Sequence, residues 1–286
     1  MSSGGSDRVE RFAPSPTGPL HLGHAFSALV AWEAARAAGG TFLLRIEDID
    51  LSRARPHWET QIFDDLAWLG LSWGMPVLRQ SARMEAYAKA LDDLWARGVL
   101  YPCTCRRRDI EAALSAPQEG SVPHGPDGPV YPGTCRERVR PEARPLTGAL
   151  RLDMRRAVEG LADLWWRDTG TTPGVHPIDK TTLIETVGDV ALARRDLGTS
   201  YHLAVVLDDA HQGVTHVTRG EDLFDATQIH VVLQRLLALP TPIYHHHRLI
   251  RDGAGKRLAK RDDARAIARY RAEGASPADI RRWVGL

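Results

Sequence analysis

The stretch VERFAPSPTGPLHLGHAFSALVAWEAARAAGGTFLLRIEDID, residues 9–50, decides the fold. It opens on a short segment read as a strand over residues 8–12, then passes through Pro14, Pro16, Thr17 and Gly18, which make a stiff turn. From Ala25 to Ala38 the chain is rich in Ala, Leu and Val, and Gly39-Gly40 supplies a stop, so a helix is expected there. Thr41 to Ile46 is an apolar run that ends on Glu47, Asp48 and Asp50. Strand, helix and strand in so short a space form a βαβ unit and predict a parallel, Rossmann-like sheet. Ligands of such sheets bind beyond the carboxyl ends of the strands, where the Pro/His turn and Glu47 are both expected.

Outward from this unit, residues 57–72 and 82–97 carry helical spacing of apolar residues, among them Trp58, Leu66, Leu69, Tyr87, Leu91, Leu94 and Trp95. Between Tyr101 and Pro145 the character changes to prolines, glycines, all three cysteines and the basic run Arg106 to Arg108, which reads as an inserted subdomain. The apolar run HLAVVLDD, 202–209, is expected to resume the α/β pattern as a strand, and a further strand is expected within GVTHVTRGEDL. From Asp262 to Leu286 the chain reads as charged and helical. The expected boundaries are 1–100 for the first half of the Rossmann-like domain, 101–175 for the insertion, 176–245 for the second half and 246–286 for the last loop and helices.

Composition bounds the function. With 286 residues and 43% hydrophobic content the chain can bury a real core, and no apolar run suggests a membrane span. Lys and Arg total 37 against 36 Asp and Glu, so no long-range field argues for nucleic acid, and any polyanion must be held by local patches. Three cysteines do not form a disulfide framework, and MSSGGSD at the start resembles no signal peptide, so a cytoplasmic, reducing location is expected.

His21 and His24 lie three apart at a helix start, where free backbone N–H groups and the positive dipole end favour a phosphate. A metal would need a third ligand and a zincin-type H-E-x-x-H, which is missing, while a helix cap bearing two surface histidines is the structural alternative. Gly23 lets backbone and imidazoles approach a ligand closely. Among the cysteines, Cys103 and Cys105 form C-x-C and Cys135 follows 30 residues on, a cluster that suggests one structural zinc with a fourth ligand to be found. On chemistry alone His124 is the better fourth ligand, since a phenol must lose a proton to bind. The histidines of YHHHRL, 244–249, alternate faces of a strand and are given a structural role.

APSPTGPLHLGH resembles the HIGH signature of class I aminoacyl-tRNA synthetases in its glutamyl-branch form, and RIEDID resembles that branch's strand ending in Arg-Ile-Glu-Asp. The likeness continues through VVLDDAHQGVTHVTRGEDL, 205–223, and GKRLAKRD, 255–262, which resembles the second signature, KMSKS, with Arg257 for its first lysine, Ala259 for its serine and Lys260 retained. The resemblance implies a Rossmann-like class I catalytic domain with a zinc-bearing insertion and a short helical C-terminal stem. It also implies ATP-dependent activation of L-glutamate, with Mg2+ accompanying the ATP.

In that reading the amino-acid carboxylate attacks the α-phosphate, and the protein positions and neutralises rather than supplying a nucleophile. His21, His24 and Lys260 are then the catalytic groups, and His21, Gly23, His24, Arg257 and Lys260 hold ATP. Arg11, Phe12, Ala13, Pro14, Ser15, Glu47, Tyr201 and Arg219 map onto the glutamate site. CTC followed by YPGTC resembles the family's Cys-x-Cys, Tyr-x-x-x-Cys site and names Cys103, Cys105, Tyr131 and Cys135 as zinc ligands, with His124 as the alternative fourth.

Only 25 residues follow Arg261, which leaves no room for the anticodon-binding region of full-length members. The short form resembles those that attach glutamate to the cyclopentenediol of queuosine in the tRNA(Asp) anticodon stem-loop. A monomer acting away from membranes is expected. Two alternatives stay open: a truncated synthetase that charges the tRNA 3′ end, and a non-catalytic tRNA- or nucleotide-binding module.

Overall fold

The computed structural model describes residues 7–114, 124–251 and 265–286. In the first half, β1 (Val9–Phe12), α1 (Leu22–Ala37), β2 (Thr41–Ile46), α2 (Pro56–Trp68), β3 (Gly74–Arg79) and α3 (Met84–Ala96) follow one another. The pairs β1/β2 and β2/β3 are both parallel, as the βαβ spacing requires. Next come β4 (Leu100–Cys103), α4 (Arg107–Leu114), β5 (His124–Gly125), β6 (Gly128–Pro129), β7 (Ala149–Leu152), α5 (Met154–Val158), β8 (Leu164–Asp168), β9 (Gly174–Ile178), α6 (Lys180–Thr186) and β10 (Ala191–Ala193). The chain then runs through α7 (Tyr201–His211), β11 (His216–Gly220), α8 (Thr227–Leu236), β12 (Ile243–His247), α9 (Ile267–Ala272) and α10 (Pro277–Val284).

The strand order β3-β2-β1 abuts the order β11-β12-β8-β9, because the Thr215 amide donates to the Val9 carbonyl at 3.0 Å and Arg11 reaches the Thr218 carbonyl at 3.3 Å. β1 and β11 thus lie side by side and the sheet changes direction there, the place where a doubly wound sheet opens a crevice. A second, antiparallel sheet β10-β7-β4 joins residues 100–103, 149–152 and 191–193. Two apolar cores follow this division. One gathers α1, β2 and α2 with Ile250, Ile267, Ile280 and Val284 of the C-terminal segment, and the other gathers α3, the second sheet, α7 and α8.

The expected strand at 202–209 is instead most of helix α7. Leu203, Ala204, Val205 and Val206 are all nearly inaccessible, as are His202, Asp208 and Asp209. A helix buried around its circumference shows a continuous apolar run, and period alone does not separate it from a buried strand. Ser200, whose hydroxyl accepts from the Leu203 amide, caps its start and was the signal for a helix. The strand expected within GVTHVTRGEDL is β11. Among the described residues no helix is long and apolar enough to cross a membrane.

Candidate active site

A cleft of about 580 Å³ opens at the carboxyl ends of β1, β2 and β11. Arg11, Phe12, Ala13, Pro14, Ser15, His21, Gly23, His24, Glu47, Tyr201 and Arg219 all line it, so one cavity collects every described residue expected to hold amino acid or nucleotide. Arg257 and Lys260, together with Ala259, lie outside the described residues.

The proline turn is held from several sides. The Glu47 amide donates to the Pro14 carbonyl at 3.0 Å, the Arg55 amide to Pro16 at 3.0 Å and the Ile267 amide to Leu20 at 2.9 Å. α1 then starts on a reciprocal cap made of imidazoles: Gly23 N–H donates to His21 Nδ1 at 3.1 Å, and His21 N–H donates to His24 Nδ1 at 3.1 Å. With both Nδ1 atoms accepting, each neutral ring carries its proton on Nε2, a donor suited to a phosphate oxygen. The two rings lie 3.7 Å apart, centroid to centroid. Gly23 allows this close packing, since a Cβ there would sit 3.0 Å from His21 Cε1 and the ring would have to give way by a few tenths of an ångström. The histidines are therefore helix caps and cleft walls at once.

The other end of the cleft rests on a buried charge network that sequence reasoning missed. Asp209 accepts from Arg11 Nε at 3.0 Å, Arg11 Nη2 at 3.4 Å and Arg45 Nη1 at 2.7 Å, and Arg45 Nη2 continues to Glu47 Oε1 at 3.2 Å. Burial pushes the Asp209 carboxyl up, but the two guanidiniums outweigh it and leave the group below the usual carboxylate range. Burial dominates at Glu47 and raises its pKa despite Arg45 and Arg11. Two adjacent acids inside an otherwise apolar run, Asp208 and Asp209, were the available signal, because acids are buried only with partners.

Arg11 uses three of its five N–H donors on Asp209 and the Thr218 carbonyl, leaving two. Arg219, 5% exposed, gives Nε to His246 Nε2 at 3.1 Å, Nη1 to His230 Nδ1 at 3.0 Å, and Nη2 to the Leu223 carbonyl at 3.1 Å and Thr227 Oγ1 at 2.7 Å. One donor remains, on Nη1. Among the described residues no carboxylate pairs directly with Arg219, and the Tyr201 hydroxyl and Glu47 Oε2 have no hydrogen-bond partner. The residues that carry these four unused donors and one carboxylate oxygen line a common cavity, which can take an anion and an ammonium on the same molecule. His246, expected to be structural, is part of this site, and His247 lines the cleft.

Away from the cleft, the Sγ atoms of Cys103, Cys105 and Cys135 lie within 4.8 Å of one another, with Cys105 and Cys135 at 3.5 Å. Tyr131 Oη is 3.5 Å from Cys103 Sγ and 3.4 Å from Cys105 Sγ, whereas His124 is not in the group. Tetrahedral zinc with bonds of about 2.3 Å sets sulfurs about 3.8 Å apart, so the donor set and its size fit that ion. Arg151 lies 3.8 Å over the Tyr131 ring and donates to Cys103 Sγ at 3.4 Å. Burial pushes the Cys135 thiol up, but hydrogen bonds led by the Tyr131 hydroxyl outweigh it and bring it to about 6, near the thiolate form.

Comparison with known proteins bears on this geometry. The family described as tRNA synthetases class I (E and Q), catalytic domain, matches residues 8–286. A protein named glutamyl-Q tRNA(Asp) synthetase from Rhodobacter capsulatus is 66% identical over 282 residues, covering 97% of this chain and 100% of the relative. One of the same name from Symbiobacterium thermophilum is 44% identical, covering 94% of this chain and 83% of the relative. Among solved structures, a glutamate tRNA ligase from Elizabethkingia meningosepticum in complex with its amino acid superposes with a TM-score of 0.75 at 27% identity, over 98% of this chain and 60% of that one. The Mycobacterium tuberculosis methionyl-tRNA synthetase bound by methionyl-adenylate, at 10% identity, a TM-score of 0.59 and coverage of 97% of this chain and 63% of that one, shares the fold alone. This chain spans about three fifths of the length of those two solved synthetases.

Proposed function

The chain belongs to the class I tRNA synthetases of the glutamate and glutamine branch, and from that premise we propose that it activates L-glutamate with ATP and transfers the glutamyl group to queuosine in the anticodon of tRNA(Asp). It is an ATP-dependent ligase. The observation that carries the choice of amino acid is the set of unused groups in the cleft: donors on Arg11, Tyr201 and Arg219 for the side-chain carboxylate, and the Glu47 carboxylate for the α-ammonium. The choice of acceptor rests on the near full-length similarity to proteins named glutamyl-Q tRNA(Asp) synthetase.

In the first step an α-carboxylate oxygen attacks the α-phosphorus, the bond to the bridging oxygen breaks, and pyrophosphate leaves with its electron pair. His21 and His24, donating through Nε2, stabilise the negative charge that grows on the phosphates, and Lys260 and Arg257 of the second signature each contribute a cation. Mg2+ accompanies the ATP. In the second step a hydroxyl of the cyclopentenediol attacks the activated carbonyl, an ester forms and AMP departs, its proton balance closed by solvent.

In the insertion, proposed as residues 101–175, Cys103, Cys105, Cys135 and Tyr131 would hold one structural zinc. Burial and the neighbouring thiols keep the Tyr131 phenol above its usual pKa, and a divalent cation at the centre of the cluster would reverse that. The chain is proposed to act as a monomer.

The deciding experiment uses radiolabelled glutamate, ATP and tRNA(Asp) with and without queuosine. After cleavage of the anticodon loop, label is expected on the loop fragment and only when queuosine is present. Label on the 3′ fragment would assign conventional charging instead, and absence of glutamate-dependent ATP–pyrophosphate exchange would assign a binding module. Arg219→Ala is expected to abolish glutamate activation while leaving ATP binding nearly intact, since Arg219 sits at the amino-acid end of the cleft.

A further inference from the structure

Arg219 is a buried cation whose contacts are two imidazoles, a hydroxyl and a carbonyl. Such a group normally sits against a carboxylate. Here the carboxylates stand one or two rings away. His246 accepts from Arg219 at Nε2 and turns its Nδ1 to Asp168, itself buried. His230 accepts from Arg219 at Nδ1 and meets His202 Nδ1 with its Nε2 at 3.1 Å, while His202 Nε2 lies 3.7 Å from Asp127.

Arg219 has no acceptor atom, so it fixes every proton in both chains. His246 must carry hydrogen on Nδ1 and donate it to Asp168, and His230 must carry hydrogen on Nε2 and donate it to His202, whose own hydrogen then faces Asp127. Both rings stay neutral: burial and the Arg219 charge hold His230 well below the ordinary histidine value and bring His246 to about 4. Tyr244 supports the arrangement from beneath, its ring parallel to His246 and 5.0 Å under the guanidinium.

We propose that His246 and His230 are positioning residues that orient Arg219 through neutral acceptors, so that the charge of its guanidinium is left for the substrate side chain. This rests on the reading of Arg219 as the partner of the glutamate side-chain carboxylate. A protein carboxylate in direct contact would fix the fork equally well but would cancel the charge that separates glutamate from glutamine, whose carboxamide is neutral. The spacer imidazoles therefore serve specificity as well as geometry.

The test is ATP–pyrophosphate exchange on the full chain with L-glutamate and L-glutamine as probes. His230→Leu removes the Nη1 acceptor and is expected to raise the KM for glutamate about tenfold or more, with the KM for ATP within about twofold of wild type. His230→Asn keeps an acceptor near the Nδ1 position and is expected to return the glutamate KM to within about threefold. His230→Glu places a carboxylate on Arg219 and is expected to shrink the preference for glutamate over glutamine about tenfold or more. If His230→Leu does not fold, His202→Phe decides: it leaves both Arg219 contacts but unpins the His230 proton, and a severalfold rise in glutamate KM is expected. An unchanged glutamate KM in the deciding variant, or equal impairment in His230→Asn and His230→Leu, overturns the proposal. Wild-type protein without glutamate-dependent exchange would remove the underlying reading instead, and is seen before any variant is compared.

Discussion

Asp209→Asn isolates the charge network beneath the cleft. The carboxylate takes three N–H groups, two from Arg11 and one from Arg45, with Arg45 wholly inaccessible and Asp209 6% exposed. With Glu47 the four side chains sum to zero formal charge; the substitution leaves two buried guanidiniums against one carboxylate. The new amide also offers only one acceptor oxygen and turns its NH2 toward a guanidinium. Removing one partner of a buried ion pair costs about 3–5 kcal/mol, and near 2–4 °C per kcal/mol the melting temperature should fall by about 6–20 °C. Urea unfolding followed by circular dichroism measures the loss directly as a shift in midpoint at constant m. Adding Arg45→Met removes one of the two stranded cations, so the double variant should lose clearly less than the sum of the single losses. A loss below about 1 kcal/mol for Asp209→Asn, or strict additivity of the pair, would refute the view that this network is a neutralised unit.

Gly23→Ala should separate function from stability. Its methyl presses on the His21 ring at 3.0 Å, while alanine favours the helix by about 1 kcal/mol, so the KM for ATP should rise severalfold with little change in melting temperature; an unaltered KM would remove the close-approach role. Cys103→Ser with Cys135→Ser should release a stoichiometric zinc ion, measured by mass spectrometry of the purified protein, with far-UV circular dichroism largely kept; full metal retention would eliminate the ligand set. His246 and His230 should each withdraw stability as pH falls from about 6.5 toward 4, against Asp65, Glu47 and Glu10, whose raised pKa values act in the opposite sense. His246 and His230 are depressed in the folded chain, so the unfolded chain binds more protons in that window, each histidine contributing up to about 1.4 kcal/mol per pH unit. Imidazole NMR titration isolates the histidine share, and His246 or His230 protonating at the ordinary histidine value would show that these rings are not buried neutral.

The parallel β1-α1-β2 unit was readable because each signal in residues 9–50 is local: turn prolines, a glycine stop, and an apolar run ending in acids. Placing the cleft at the strand ends followed from topology rather than from any single residue. α7 was misread because it is buried around its circumference, so that 203–207 reads as a continuous apolar run, and only Ser200 marked it locally. Asp209 and Arg45 were missed for a related reason. Their roles depend on partners 198 and 164 residues away, and no window of sequence contains both ends of such a bond. Likewise, YHHHRL showed alternation and therefore excluded convergence of all three rings. That Arg219 lies beside His246 depends on the pairing of β11 with β12, in which those two residues are partners across the strands.

The seam between β1 and β11 also sets an order of events. Val9 finds its Thr215 partner 206 residues later, and Arg11 its Asp209 partner 198 later. At a synthesis rate of about 5–20 residues per second, β1 waits roughly 10–40 s on the ribosome before its neighbour exists. Loop closure over such a distance is slow to nucleate, so the first βαβ unit and its core can assemble while the cleft is still absent. Completion of the cleft is therefore a late product of biosynthesis, and a nascent or prematurely ended chain carries His21 and His24 without the pocket they line.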